Sequence, residues 1–180
     1  MQSKRKSLPM NSKRSSLYLL KIVGFLISTL PESRLFRLKA FIYAHWLGLD
    51  IHPTAHIYSS VRFYTYPIHI GARTHVGFNT KFIGSNGTLI FLGDDCDIAP
   101  EVTFLTGTHE IGGQQRRAAN GKALPIEIGD GCWIGARSII LPGVVIGKGS
   151  VIAAGSVVTQ SFAANLLIAG VPAEIKKTLE

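Results

Sequence analysis

Six histidines and two cysteines are the side chains of this 180-residue chain suited to moving protons, attacking acyl groups or holding a metal. His109 stands apart, because it ends the stretch Leu105-Thr106-Gly107-Thr108-His109 at the point where a regular apolar pattern fails. A neutral imidazole, of ordinary pKa about 6.5, can take a proton from an attacking hydroxyl and pass it to a departing group. A single histidine at a loop base can equally be a solvated surface residue, so the residue type leaves both roles open. The other histidines do not suggest a metal centre. His69 and His75 are six residues apart and fall on successive faces of a six-residue repeat, while His52 and His56 flank Pro53, which spoils ligation one helical turn apart. Cys96 and Cys132 form neither a CxxC pair nor a disulfide framework. Both occupy a slot where small residues recur, so they read as buried thiols and not as nucleophiles.

The element that must position these residues is a repeat. Aliphatic residues fall at 128, 134, 140, 146, 152 and 158 without a slip, and four residues after the first five of these come Cys132, Ser138, Val144, Ser150 and Ser156. The same register runs upstream through Leu92, Ile98 and Phe104, through Ile70, Val76 and Phe82, and more weakly through Ile51 and Ile57. It is least regular at 58–69 and 83–91. A period of six fits neither the 3.6 of a helix nor a long alternating strand. It fits short flat strands separated by turns, each sending one aliphatic side chain inward to stack on its equivalents in neighbouring coils, with about five coils in all.

The segment after His109 breaks this rule. Residues 110–127 number eighteen, one whole coil, and would point Glu110, Arg116 and Lys122 into the apolar shaft. Each buried charge would cost several kcal/mol. The expectation is a protruding loop over 105–127, for which Gly112, Gly113, Asn120 and Gly121 suit the path.

The first fifty residues differ in kind. They hold nine Lys or Arg against two acids, whereas residues 51–180 hold ten against nine, so seven of the eight net positive charges lie in the N-terminal quarter. A nucleic-acid groove would need its cations on the folded domain, and none is expected here. Residues 1–16 read as a disordered basic tail. Residues 17–50 read as an amphipathic helical extension. Its first part, 17–30, is apolar, carries a narrow polar stripe of Lys21, Gly24 and Ser28, and is too short for the roughly 20 residues of a membrane span. Its second part mixes Arg34, Arg37 and Lys39 with Leu35, Leu38, Ile42 and Trp46, which suits peripheral contact with an anionic membrane surface and equally suits a cap over the open end of the domain. The basic start and apolar run have the general form of a secretory signal, but no small-x-small cleavage site follows cleanly.

The repeat over residues 51–175, most specifically 92–172, resembles the hexapeptide-repeat acyltransferases of the maltose and galactoside acetyltransferase type. The resemblance implies an all-β fold, a left-handed parallel β-helix of triangular cross-section with three hexapeptides per coil. The handedness comes from the resemblance alone, since parallel crossovers are ordinarily right-handed. It also implies a homotrimer, acetyl-CoA as co-substrate without a metal, and direct transfer. Similar enzymes carry a catalytic histidine just before a protruding loop, after a Thr/Gly-rich approach, which makes His109 the general base. Asn79 in VGFNTKF matches the second Asn of an NFN stretch placed across the subunit boundary from that histidine, with Gly77 at the first position. The acidic residue that follows in sugar acetyltransferases falls near Ser85 and Asn86, so Asn79 and Ser85 are the candidate acceptor contacts. Glu110 is a candidate carboxylate beside His109. Coenzyme A positions match Trp133, Ala136, Ala154 and Thr159, with Gly170 in AGVPAEIKK. Gln160 and Glu174 stand where relatives carry basic residues, which leaves phosphate contacts to Lys176 or Lys177.

The implied reaction is acetyl transfer to a saccharide hydroxyl, with a cell-envelope polysaccharide or lipopolysaccharide precursor as acceptor. The implied location is the cytoplasm, peripheral at the inner face of the membrane. N-acetylation of an aminosugar nucleotide is the alternative within the class, and a metal-dependent lyase of the gamma carbonic anhydrase type or a non-catalytic scaffold are the rivals outside it.

Overall fold

In a computed structural model the described residues are 17–85 and 87–180, so the basic tail of residues 1–16 lies outside them. From residue 50 the chain winds as a left-handed parallel β-helix of three flat faces. The first face stacks Asp50–Ile51, Ile68–Ile70, Ile90–Leu92, Ile126–Ile128 and Val145–Ile146. The second stacks His56–Ile57, His75–Val76, Asp97–Ile98, Trp133–Ile134, Val151–Ile152 and Leu166–Gly170, and Ala173–Thr178 folds back antiparallel along its edge. The third stacks Arg62–Phe63, Lys81–Ile83, Thr103–Leu105, Ile139–Ile140 and Val157–Val158.

The hexad positions become three internal columns. Ile51, Ile70, Leu92, Ile128 and Ile146 pair in register on the first face, and all are buried. Ile57, Val76, Ile98, Ile134, Ile152 and Ile168 do so on the second. Phe63, Phe82, Phe104, Ile140 and Val158 do so on the third. Successive residues point to opposite sides, so each two-residue strand offers one inward side chain, and Ile68–Ile70, Ile90–Leu92 and Ile126–Ile128 add a second in Ile68, Ile90 and Ile126. Small residues fill the slots beneath the corners. Ser138 Oγ lies 2.8 Å from the carbonyl oxygen of Gly135 and 3.1 Å from that of Ala153, and Cys132 Sγ lies 3.3 Å from that of Gly147. Cys96 and Cys132 are both buried, and burial pushes the Cys96 thiol up to about 12, so neither is a thiolate nucleophile.

The coils touch backbone to backbone at the glycine that follows the inward aliphatic. The Gly135 N–H donates to the carbonyl of Ile152 at 2.8 Å, and a Cβ on Gly135 would stand 2.5 Å from the Ala154 nitrogen. Gly113, by contrast, faces open space. Gly135→Ala is therefore expected to cost about 1–3 kcal/mol through forced separation of two coils. Gly113→Ala should be close to neutral, and paired thermal melts check the contrast.

The register accounts for the irregularities. The first-face column advances 18 residues from Ile128 to Ile146 but 36 from Leu92 to Ile128. The surplus leaves the wall as an antiparallel hairpin, Gly107–Ile111 against Ala118–Ala123. Glu110, Arg116 and Lys122 are all exposed on it. The excursion is tighter than the 105–127 expected, since Leu105 stays in the wall and Ile126 is fully buried.

Two helices cover the N-terminal end of the shaft. α1, Leu17–Ser28, lies against α2, Phe36–Leu47, and against Arg62–Phe63, while α2 rests on the first strands of the first two faces. Val23 and Ile27 from α1, with Ala40, Tyr43 and Leu47 from α2, join the core. One expectation fails here. Lys39 is not on a surface at all but fully buried, its ammonium donating to the carbonyls of Pro31 (3.1 Å) and Glu32 (2.9 Å) and to Ser59 Oγ (2.8 Å). Burial holds its pKa below the ordinary lysine value. The helical period places Lys39 on the same side as Ala40, Tyr43 and Leu47, and only packing reveals acceptors waiting there.

Candidate functional site

His109 is the third residue of the first hairpin strand, opposite Gly121, and its side chain is exposed. A Cβ on Gly121 would come within 3.8 Å of His109 Nε2, so the absence of a side chain at 121 leaves that side of the ring open. Glu110 sits at the irregularity in the hairpin register, and among the described residues no carboxylate is within hydrogen-bond reach of His109. The imidazole thus projects from the corner between the third and first faces with no orienting partner among the described residues. The same corner holds Ser85, whose hydroxyl would lie 3.8 Å from a Cβ on Gly107 and whose carbonyl accepts from Thr65 Oγ1 at 3.0 Å. Asn86 lies outside the described residues.

Asn79 belongs to a different corner. Its backbone is left-handed, φ 58°, and the Ser60 hydroxyl accepts its N–H at 3.0 Å. Glu101 (φ 63°), Arg137 (φ 60°) and Gly155 (φ 72°) repeat that conformation coil after coil at the turn between the second and third faces. An asparagine tolerates this backbone better than most residues, so a turn requirement accounts for its presence there.

That second corner is grooved. Phe78, Pro100, Ala136, Arg137, Ala154 and Gly155 line a shallow hollow of about 540 Å³. A second hollow of about 300 Å³ continues from it past Phe78 and Pro100 to Trp133, Tyr58 and His75. The small side chains at 136 and 154 leave turn backbone uncovered, and Trp133, 56% exposed, stands beside it. Gly170 reaches the same edge, its N–H donating to Ser156 Oγ at 3.2 Å. The structure therefore brings together Trp133, Ala136, Ala154 and Gly170. Thr159 does not join them, because it follows Val157–Val158 on the third face. Lys177 pairs with Leu167 in the row that continues through Val151 to Trp133, three strand spacings or roughly 14 Å away. Lys176 faces Glu174 at 3.6 Å. A cation that the repeat pattern did not single out, Arg137, lies in the groove itself and pairs with Glu101 at 2.8 Å. Its signal was its place directly after Ala136, at the corner position.

Histidines do stack on the second face, though not the pair weighed from spacing. His56 and His75 occupy one outward row, His56 Nδ1 lying 2.7 Å from His75 Nε2, and His75 Nδ1 lies 3.4 Å from Asp97 Oδ1. Phe36 stacks on His56 with ring centroids 4.8 Å apart. Burial and then the neighbouring His75 hold the His56 pKa below the ordinary value, favouring a neutral imidazole. Among the described residues no group of three His, Cys, Asp or Glu side chains is placed to hold a metal ion.

Residues 125–160 match a family described as the hexapeptide repeat of succinyl-transferase. The chain is 38% identical to galactoside O-acetyltransferase of Escherichia coli (strain K12) over 108 residues, 60% of this chain and 52% of that protein. It spans about half the length of the curated relatives it matches. Among solved structures, the hexapeptide-repeat acetyltransferase VCA0836 of Vibrio cholerae, complexed with acetyl coenzyme A, aligns over 93% of this chain and 91% of its own, at 26% identity and TM-score 0.66. The polySia-specific acetyltransferase NeuO aligns over 72% of this chain and 61% of its own, at 29% identity and TM-score 0.63.

Proposed function

We propose, from the premise that this chain is a hexapeptide-repeat protein related to the sugar acetyltransferases, that it transfers the acetyl group of acetyl-CoA to a saccharide hydroxyl. The observation that carries the reading is an imidazole without a partner among the described residues at one corner of the prism and a groove of small residues at the next. In the proposed step the acceptor oxygen attacks the thioester carbonyl as His109 takes its proton. The carbon–sulfur bond then breaks, and the imidazolium returns that proton to the departing thiolate, giving the ester and free coenzyme A. Backbone N–H groups at the turns are candidates to hold the intermediate oxyanion. The groove accepts the pantetheine arm along the uncovered backbone at Ala136 and Ala154, beside Trp133, with Arg137 as the cation in the groove itself and Lys176 and Lys177 on the return strand farther along the second face. Asn79 and Ser85 are assigned to the acceptor.

Within one chain the two halves of this site are separated by the third face. From Glu101 to Gly107 the path is six residues of mostly extended backbone, on the order of 15–20 Å. The separation suits a site shared between subunits, and in the trimer that the resemblance implies the hairpin corner of one subunit would meet the groove corner of the next, a heterologous contact that closes as a ring. The acceptor is assigned to cell-envelope polysaccharide or lipopolysaccharide precursors, worked on from the cytoplasmic side where acetyl-CoA is available. This finer assignment is supported by the similarity to sugar acetyltransferases and by the apolar N-terminal helices.

The assay is thiol release from acetyl-CoA with galactosides, oligosaccharides and amino sugars as acceptors. Thiol release with a hydroxyl acceptor and an alkali-labile product is the expected outcome. An alkali-stable amide would move the assignment to N-acetylation, and no release with any saccharide would overturn it.

A further inference from the structure

The two N-terminal helices use one side to close the shaft and leave the other uncovered. On α1, Tyr18 (77% exposed), Ile22 (58%), Phe25 (69%) and Leu26 (55%) recur at helical spacing on the side opposite the buried Val23 and Ile27. On α2, Leu38 (45%), Phe41 (52%) and Trp46 (61%) point away from Ala40, Tyr43 and Leu47. Exposed aromatic and aliphatic residues at this density on adjoining helices mark an interaction surface.

The charge around them is of one sign. Lys21, Arg34 and Arg37 are exposed, while neither helix carries an acid. The two acids of the first fifty residues are occupied elsewhere: Glu32 accepts the Ser60 N–H at 3.3 Å, and Asp50 pairs with His69 at 2.7 Å. Lys4, Arg5, Lys6, Lys13 and Arg14 precede α1 in the sequence without an intervening acid. Apolar side chains with aromatic members, on helices whose Lys and Arg side chains are not matched by any acid of their own, complement a layer of acyl chains under anionic headgroups. No helix among the described residues is long and apolar enough to cross a membrane, and α1 at 12 residues is about 18 Å long.

We infer that the outer faces of α1 and α2 dock this protein on the surface of an anionic lipid bilayer, lying in the interface and not spanning it. The inference is independent of the acetyl-transfer reading. If the proposed trimer forms about an axis parallel to the shafts, all three caps face the same plane and the attachment becomes multivalent.

The test is flotation of the full chain with vesicles of phosphatidylcholine alone or with about one-third phosphatidylglycerol, at low and high salt. Binding is expected only to the anionic vesicles, weakened at least tenfold by high salt. It should also be lost in Phe25→Glu/Phe41→Glu, whose sites are exposed so that the fold, checked by circular dichroism, is retained. Absence of binding by the unaltered chain overturns the inference. So does anionic binding that the double substitution leaves unchanged, which would assign it to charge alone. Equal binding to neutral vesicles, or loss of a higher oligomer in the double variant without any vesicle binding, overturns it as well, the last by making a second copy the occupant. Thiol release on a soluble acceptor, measured on the same samples, reports separately on the transfer reaction.

Discussion

His109→Ala is expected to lower kcat for acetyl transfer by roughly 10²–10⁴-fold, the range over which a positioned general base contributes, while coenzyme A binding and the oligomer remain. The reasoning is geometric. The imidazole is exposed on a hairpin, bears on no core residue, and has no hydrogen-bond partner among the described residues, so its removal has little to disturb in the fold. The groove at Ala136 and Ala154 is at another corner and should keep its affinity. Near-normal turnover in the variant would remove His109 from the mechanism. A second arm tests whether the site is shared. Ala154→Trp fills the groove from an exposed position, and subunits carrying it should be inactive by loss of coenzyme A binding. Co-refolded with His109→Ala subunits, they should regain part of the activity, because some interfaces then pair an intact hairpin with an intact groove. No recovery on mixing would mean that hairpin and groove do not work across a boundary.

Phe82→Ala should produce the largest loss of stability. Phe82 is fully buried, with the Phe63 ring 5.0 Å below it at 21° and the Phe104 ring 5.1 Å above it at 14°. The Tyr43 ring of α2 meets Phe63 edge-on at 4.9 Å, so this column also links the helical cap to the coils. In a stacked repeat each coil contacts chiefly its neighbours, and a void in one coil cannot be refilled from a distance. The expected cost is about 3–5 kcal/mol. For a chain of this size that corresponds to a fall of roughly 10 °C in the unfolding midpoint, measurable by circular dichroism. Phe82→Leu, which keeps most of the apolar volume, should lose much less. Equal losses for the two variants would show that ring stacking and not volume governs the column.

How much of the candidate site could be read in advance differs from residue to residue. Ala136, Ala154 and Gly170 come to one edge because each lies two residues after an inward aliphatic, Ile134, Ile152 and Ile168, while Trp133 stands on the outward side just before Ile134. Thr159 has moved on to the next face, and the reach of Lys176 and Lys177 depends on an antiparallel return strand that has no hexad signal. Arg137 carries no distinguishing signal in the sequence beyond its place after Ala136, because corner positions in this fold take many residue types, from asparagine to glutamate to glycine. His56 and His75 were hidden as a pair because the coil between them has 19 residues in place of 18, so they stack only once the extra residue is absorbed.

The sequence by itself determined the shaft. One aliphatic in six is a local rule with a local cause, the need of each flat strand to bury an inward side chain, and it specified the three internal columns, the buried cysteines and a charged excursion that carries His109 in its first strand. Tertiary structure alone decided the form of that excursion, an antiparallel hairpin held by cross-strand pairing, and the burial of Lys39, whose three acceptors come from the α1–α2 connection and from Ser59, twenty residues downstream. It also decided that His109 and the groove stand at different corners. Periodicity reports which side of a strand a residue occupies, because that depends on its neighbours in the chain. Which side chains meet depends on how many residues each coil spends between corners, and that sum is settled only when the coils are stacked.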